Sequence, residues 1–377
     1  MIPRISGRRE ARARPLAAFL LGLAACGGGD ELADPAGAWH EGPRLPAPVS
    51  NNAVAAVGGP RGITVLSFLG IDSTKSPGGV TNAAYRWDVT TDDLERGDHP
   101  EGWRRIVPVP GPGRLAPAVQ VFGGRVFLFG GYTVAEDGTE RSVPNVDVYT
   151  PFTDTWAQAA GIPLPVDDAV SGVWASELIY LVSGWHDDGN VADVQVFDPS
   201  LNRWTTATPI PGEPVFGHAG AIMGGDIVYV GGAKVGEGRP RFMIDSTAWR
   251  GRIDPVDPSR IEWGAIRPPP GPPFYRAASG VLGGRVVLLG GTDNPYNYDG
   301  VGYDGTPSEP SRRLTAYDRS DGWIELPPPP VATMDHRTLA VAGGWVFVVG
   351  GMTEEQRVDD RVWYARADEL LAAGGAR

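Results

Sequence analysis

The chain has 377 residues, of which 89 are Gly or Pro, 12 are Trp and 42% are hydrophobic. So many turn formers exclude a helical bundle, while the apolar content is too high for a low-complexity chain, which leaves a turn-rich all-β fold. The net charge is −12, and the first 25 residues carry five Arg against one Glu, so the remainder stands at −16; a surface that acidic repels phosphate backbones and excludes nucleic acid as a partner.

The first predicted element is an address. An Arg-rich stretch to Arg14 precedes the apolar run Leu16–Ala25, which is too short to cross a bilayer as a mature helix. The run ends in Leu23-Ala24-Ala25-Cys26, which resembles the lipobox of bacterial lipoproteins, and Cys26 is the only cysteine. The resemblance implies a signal peptide over 1–25, lipid attachment at Cys26 and an exported lipoprotein of the cell envelope, at the outer membrane or facing the periplasm. Residues 26–37, rich in Gly, are then a flexible tether. A single cysteine excludes any intrachain disulfide or thiolate metal cluster.

From residue 38 onward one unit recurs. An apolar run closing on glycine ends at Gly70, Gly131, Gly184, Gly232, Gly291 and Gly351, and a tryptophan recurs in phase at Trp39, Trp103, Trp156, Trp204, Trp263 and Trp323. From Trp to Gly the spacing is 28 residues in all copies but the first, where it is 31; from Gly to the next Trp it ranges from 20 to 33. One half of the repeat is constant and the other varies. In the constant half, AVQVF-GGR-VFLFGG (118–131) and its counterparts at 219–232, 278–291 and 338–351 predict tight hairpins, because Gly-Gly supplies the positive φ such turns need. A third strand follows with an aromatic step (VDVYT 146–150, VQVFD 194–198, LTAYD 314–318), then a Trp-led fourth strand ending in prolines. We label the four strands a to d.

Paired glycines, a downstream Tyr/Phe and Asp, and a spaced Trp resemble kelch repeats over about residues 39–366. The resemblance implies a six-bladed kelch-type β-propeller over 38–367. The first copy departs from the pattern at Leu69-Gly70 and by an insertion before Trp103; the third departs at Ala175-Ser176 and Ser183-Gly184. The last copy stops after its third strand, Val362–Arg366, and the missing fourth is present at the other end as Trp39–Pro46. Pairing the two closes the ring and removes two open edges. Residues 368–377 are a short tail with at most a frayed helical turn.

The fold resemblance places the b–c loops on one face: Ile71–Ala83, Tyr132–Asn145, Trp185–Val191, Ala233–Thr247, Thr292–Arg313 and Met352–Arg361. Length variation on one face of a constant scaffold marks a binding surface. Aligning the copies on the a–b hairpin puts Asn51-Asn52, Ala116-Pro117, Asp168-Ala169, Gly217-His218, Arg276-Ala277 and His336-Arg337 at the channel mouth. Arg276 and Arg337 suit a carboxylate held by charge-assisted hydrogen bonds. His218, with Trp185 and His186, suits a polar and aromatic wall for a sugar. The plain alternative is that these residues cap strand ends and bind channel water. In the blade-5 loop, Asp293, Asn294, Asp299 and Asp304 are oxygen donors of the kind Ca²⁺ takes, but their spacing matches no EF-hand, so an Asx-turn-rich loop is expected; Tyr296, Tyr298 and Tyr303 suit recognition.

No metal site is expected, since the five histidines form no ligand pair at metal spacing. A copper-radical oxidase on this scaffold needs a free cysteine, and Cys26 is consumed by the anchor, so no cofactor is expected. Two functions follow. The first is a non-enzymatic scaffold, a monomer anchored to the membrane through acylated Cys26, that binds an envelope protein or a glycan through its loop face. The alternative is a sugar mutarotase or epimerase similar to the kelch-type sialic acid mutarotases, drawing on Asp168, Arg276, His336 and Arg337 without a residue-by-residue match to that family.

Overall fold

A computed structural model describes residues 35–99 and 101–374. The signal peptide, Cys26 and most of the expected tether lie outside the described residues. The first copy of the repeat folds as the antiparallel strands Ala53–Gly59, Gly62–Phe68, Ala84–Val89 and Arg104–Arg105. Four further sheets repeat this order, beginning at Ala118, Val170, Ala219 and Ala278. The sixth contains Ala340–Ala342, Trp345–Val349 and Val362–Arg366, and its outer strand is Trp39–Glu41, paired as Trp39 with Ala365 and Glu41 with Trp363. The ring therefore closes as its sequence predicts, with six blades.

Each blade is covered on both faces by its neighbours, and this explains why the b strands read as unbroken apolar runs such as VVLL at 286–289. Six separate apolar cores result, one at each blade-to-blade interface. The recurring tryptophan stitches the outer strands together. Each indole N–H donates to a carbonyl just after strand d of the preceding blade: Trp103 to Pro43 (2.9 Å), Trp156 to Val107 (3.0 Å), Trp204 to Ala160 (2.8 Å), Trp263 to Thr208 (3.3 Å), Trp323 to Arg267 (2.8 Å) and, across the closure, Trp39 to Pro327 (3.1 Å). The aromatic residue of strand c packs on the same indole, with Phe197 and Trp204 ring centres 4.9 Å apart.

The strand directions define two faces. Strand a runs away from the loop face to the a–b hairpin, so a–b hairpins and c–d turns share the opposite face, and b–c loops share the first. Residues expected as a frayed tail form a full helix, Ala367–Gly374, which buries Leu370 and lays Leu371 against the blade-5 hairpin at Gly283. A shorter helix, Thr91–Arg96, occupies the c–d position of blade 1 and carries a capping box between Thr90 and Asp93.

Candidate functional site

Where strand a begins, Asn51, Ala116, Asp168, Gly217, Arg276 and Asp335 all take positive φ, between +50° and +68°. Only one of the six is glycine, and the strained turn is held by a ring of hydrogen bonds from blade to blade. Asp168 N–H donates to the Ala116 carbonyl (3.0 Å), Gly217 to Asp168 (3.0 Å), Arg276 to Gly217 (2.7 Å), His336 to Arg276 (3.0 Å) and Asn51 to Asp335 (3.3 Å). Between blades 1 and 2 the Asn51 side chain closes the circle, its Oδ1 accepting from Ala116 N–H at 2.6 Å. In blade 6 the equivalent of Arg276 is Asp335, one residue before the His336 that hairpin alignment selects. Here the chain spends an extra residue, so that Asp335 accepts from the following blade while His336 donates to the preceding one.

This ring converges four charged side chains. Arg276 Nη2 lies 2.7 Å from Asp168 and its Nη1 lies 3.4 Å from Asp335; Arg337 Nε is ion-paired with Asp168, and its Nη1 and Nη2 reach Asp335 at 3.5 Å and Asn51 Oδ1 at 3.1 Å. The side chains of Arg276 and Asp168 are each 1% exposed. Arg276 also lies over the Tyr275 and Tyr296 rings, 5.1 and 5.2 Å from their centres. Burial alone would raise the Asp168 carboxyl, but the two guanidinium groups outweigh it and hold the group below the usual carboxylate range. The carboxylates that Arg276 and Arg337 bind thus come from the chain itself, in a pair-of-pairs that sums to zero charge.

Next to this hub lie two carboxyls of opposite character. Burial and the neighbouring Asp168 charge push Asp167 well up, and it accepts from Ser142 Oγ at 2.7 Å. Burial also raises Glu140, against the Asn297 amide that donates to it at 2.6 Å. Of the histidines, His218 and His336 are pushed down to about 4 by burial and are therefore neutral; His218 Nε2 lies 3.0 Å from the Val182 carbonyl, and His336 Nε2 lies 2.7 Å from Thr333 Oγ1. Asn52 donates to Ser67 Oγ at 2.9 Å. His218 and Asn52 each reach a neighbouring strand, while the His336 contact stays within the segment that enters blade 6.

The blade-5 loop lies across the hub. Its Asn297 carbonyl accepts from Arg276, its Asp299 carbonyl takes the Lys75 ammonium (2.8 Å), its Ser308 carbonyl takes the Gln356 amide (3.1 Å), and Tyr303 packs 4.4 Å from Phe242. One loop thus engages blades 1, 2, 4 and 6. Asp299 and Asp304 each accept a backbone N–H two residues on, at 3.0 and 2.9 Å, the Asx turns expected of this composition. Beneath the hub the inner strands enclose a cavity of about 290 Å³, with Arg337, His218 and Ser279 at its closed end. Val121, Val173 and Val341, near the hairpins, are partly exposed, so the cavity faces away from the loop face.

Trp185 and His186 sit apart from the hub, in a two-residue hairpin. Trp185 instead joins Phe216 (5.5 Å) and Phe242 (5.3 Å), and the Arg241 guanidinium lies 5.3 Å from its ring and 5.0 Å from Phe242. Beside this group Val235 and Met243 are 46% and 48% exposed. Asp335, Asn297, Arg241 and Phe242 are among the residues that the hairpin alignment passes over, as are Asp167 and Glu140. Matching the bulky apolar step Phe216, Tyr275 and Met334 finds Asp335, and puts Asp167 at that step in blade 3; nothing in the sequence marks the others.

Blade count, closure and repeat together define a kelch-repeat β-propeller. The chain is similar to Kelch-like protein 35 of Mus musculus, 30% identical over 184 residues, which cover 48% of this chain and 28% of that protein. It is also similar to Kelch domain-containing protein 3 of Homo sapiens, 24% identical over 267 residues, 64% of each. The matched region spans less than two thirds of the length of these relatives. No family model matches the chain. Among solved structures, that of YjhT superposes with a TM-score of 0.67 at 16% identity, covering 85% of this chain and 95% of that one, a likeness of fold alone.

Proposed function

We propose that this chain is a binding scaffold, held at a membrane through acylated Cys26, that presents its loop face to an envelope protein or glycan. The observation that carries the reading is the patch where the loops of blades 3, 4 and 5 meet. The Arg241 guanidinium lies over the Trp185 and Phe242 rings, with exposed Val235 and Met243 alongside. Aromatic and Arg side chains on a braced surface are the usual anchors of recognition. The interlocked loops supply the bracing, so little ordering entropy opposes binding. Capture of envelope protein or glycan by the wild-type chain should fall at least about tenfold in an Arg241→Ala, Met243→Asp variant of unchanged melting temperature; equal capture by both would remove the loop face from the reading. The anchor is supported by the Arg-rich stretch, the apolar run and the position of Cys26. Mass spectrometry of the N-terminal peptide, with Cys26→Ala as control, tests it separately.

A second reading, sugar mutarotation, draws on the raised carboxyls of Asp167 and Glu140 beside Arg276, an acid-and-guanidinium grouping. It requires the blade-5 loop to open. NMR exchange between sialic acid anomers, with wild-type and Asp167→Asn chains, decides it: a rate equal to buffer excludes the activity.

A further inference from the structure

The face opposite the loops carries an array that binding through the loop face does not use. Three of the most exposed large apolar side chains occupy the c–d turns of three consecutive blades: Phe152 in blade 2 (89% exposed), Leu201 in blade 3 (61%) and Val256 in blade 4 (91%). Each turn is fixed by local hydrogen bonds. Asp154 N–H donates to the Thr150 carbonyl (3.0 Å), Leu201 N–H to Asp198 Oδ1 (3.0 Å) and Val256 N–H to Asp254 Oδ1 (2.8 Å). All three tips thus project from the face that bears the a–b hairpins. At the same position blade 5 has Arg319-Ser320-Asp321, and blades 1 and 6 have the helices Thr91–Arg96 and Ala367–Gly374.

The chain also enters the ring on this face. Trp39 pairs with Ala365, at the hairpin-side end of its strand, so the segment before Trp39 approaches from the side that bears the tips. Twelve residues, 27–38, lie between the Cys26 position and Trp39, including a short 3₁₀ helix at Pro35–Ala38, and they reach at most roughly 40 Å. A lipid at Cys26 therefore keeps the point where the chain enters this face within roughly 40 Å of the bilayer. We propose that Phe152, Leu201 and Val256 insert among the lipid headgroups, docking the propeller flat so that its loop face points away from the membrane. The inference rests on the anchor reading. Isolated apolar tips, each surrounded by polar residues and a blade apart, fit a bilayer interface, which accepts single side chains at one depth; a protein partner calls for one contiguous apolar centre.

The test uses the full lipidated chain in phosphatidylethanolamine–phosphatidylglycerol vesicles. Cys26 is blocked by its lipid, so a dye sensitive to polarity can be placed through Phe152→Cys, Leu201→Cys or Val256→Cys, with Glu136→Cys on the loop face as control. The three tip labels should shift to the blue and be quenched by lipid-borne quenchers, while the control stays in water. In addition, the weak vesicle partition of the Cys26→Ala chain should fall about tenfold when all three tips become Ser. Tip labels as wet as the control, on acylated chains that sediment with vesicles, overturn the docking and leave the anchor intact. Equal sedimentation of wild-type and Cys26→Ala chains, with no acyl group found by mass spectrometry, overturns both. Labels shielded only on addition of envelope protein assign the tips to a protein partner and overturn the docking too.

Discussion

Arg276 lies at the centre of the molecule with two carboxylates from two other blades, and its removal leaves those charges buried beside Arg337 alone. Breaking one member of such a network costs far more than a surface ion pair, so Arg276→Met should lose about 3–5 kcal/mol in urea unfolding; a loss under ~1 kcal/mol would mean that the hub contributes little. The buried histidines add a pH dependence whose sign is set by their lowered values. Unfolded His takes up a proton near pH ~6.5 whereas His218 and His336 resist it down to about 4. Their contribution is complete above the unfolded value and is lost as pH falls through this window, by about 1.4 kcal/mol per unit for each group. His218→Gln should remove about one proton's worth of that slope. Asp167 acts in the other direction: its raised carboxyl favours the folded state at low pH and weakens it as pH rises past ~3.9, so Asp167→Asn should be more stable than wild type at pH 7 by urea titration.

At the scale of elements, the blade-5 loop decides whether the hub is open. Its composition announces Asx turns, and the turns at Asp299 and Asp304 are local enough to be read from spacing. That it crosses four blades depends on Asn297 meeting Glu140 and on Lys75 meeting Asp299, partners 157 and 224 residues apart in sequence. Asn297→Ala removes the amide bond to Glu140, worth about 1 kcal/mol, and the longer bond that Asn297 Oδ1 accepts from the Tyr132 hydroxyl. Amide exchange at Tyr303, whose N–H donates to Pro295, should then quicken several-fold while the b strands keep their protection. The extra residue in blade 6 is a smaller lesson of the same kind. Counting back from Gly343 selects His336, because a count cannot register a residue inserted between two fixed points.

For the whole molecule, closure by Trp39–Glu41 is what makes six sheets one ring. Without it, Val362–Arg366 is an open edge and the Trp39 bond to Pro327 is gone. A chain starting at Gly42 should aggregate on size-exclusion chromatography, whereas Trp39→Ala, which leaves the backbone pairing, should elute as the wild-type chain does and lose about 3 kcal/mol. Kelch-repeat architecture also explains why the two faces diverge: the a–b hairpins are short and uniform, while b–c loops range widely in length at little thermodynamic cost.

The blade count, the hairpins, the ring closure and the positions of the stitching tryptophans were all written in the linear order of residues. Each depends on contacts within a few residues or on a repeat that returns at a regular interval: glycine's access to positive φ, alternation of buried strands, a Trp at fixed spacing. What only the tertiary structure decided is which polar groups at the channel are free. Asp168 and Arg276 are 108 residues apart, and Asn51 and Asp335 are 284 apart. Their partnership arises because the ring brings six strand ends to one axis, where buried charge is stable only when it meets its opposite.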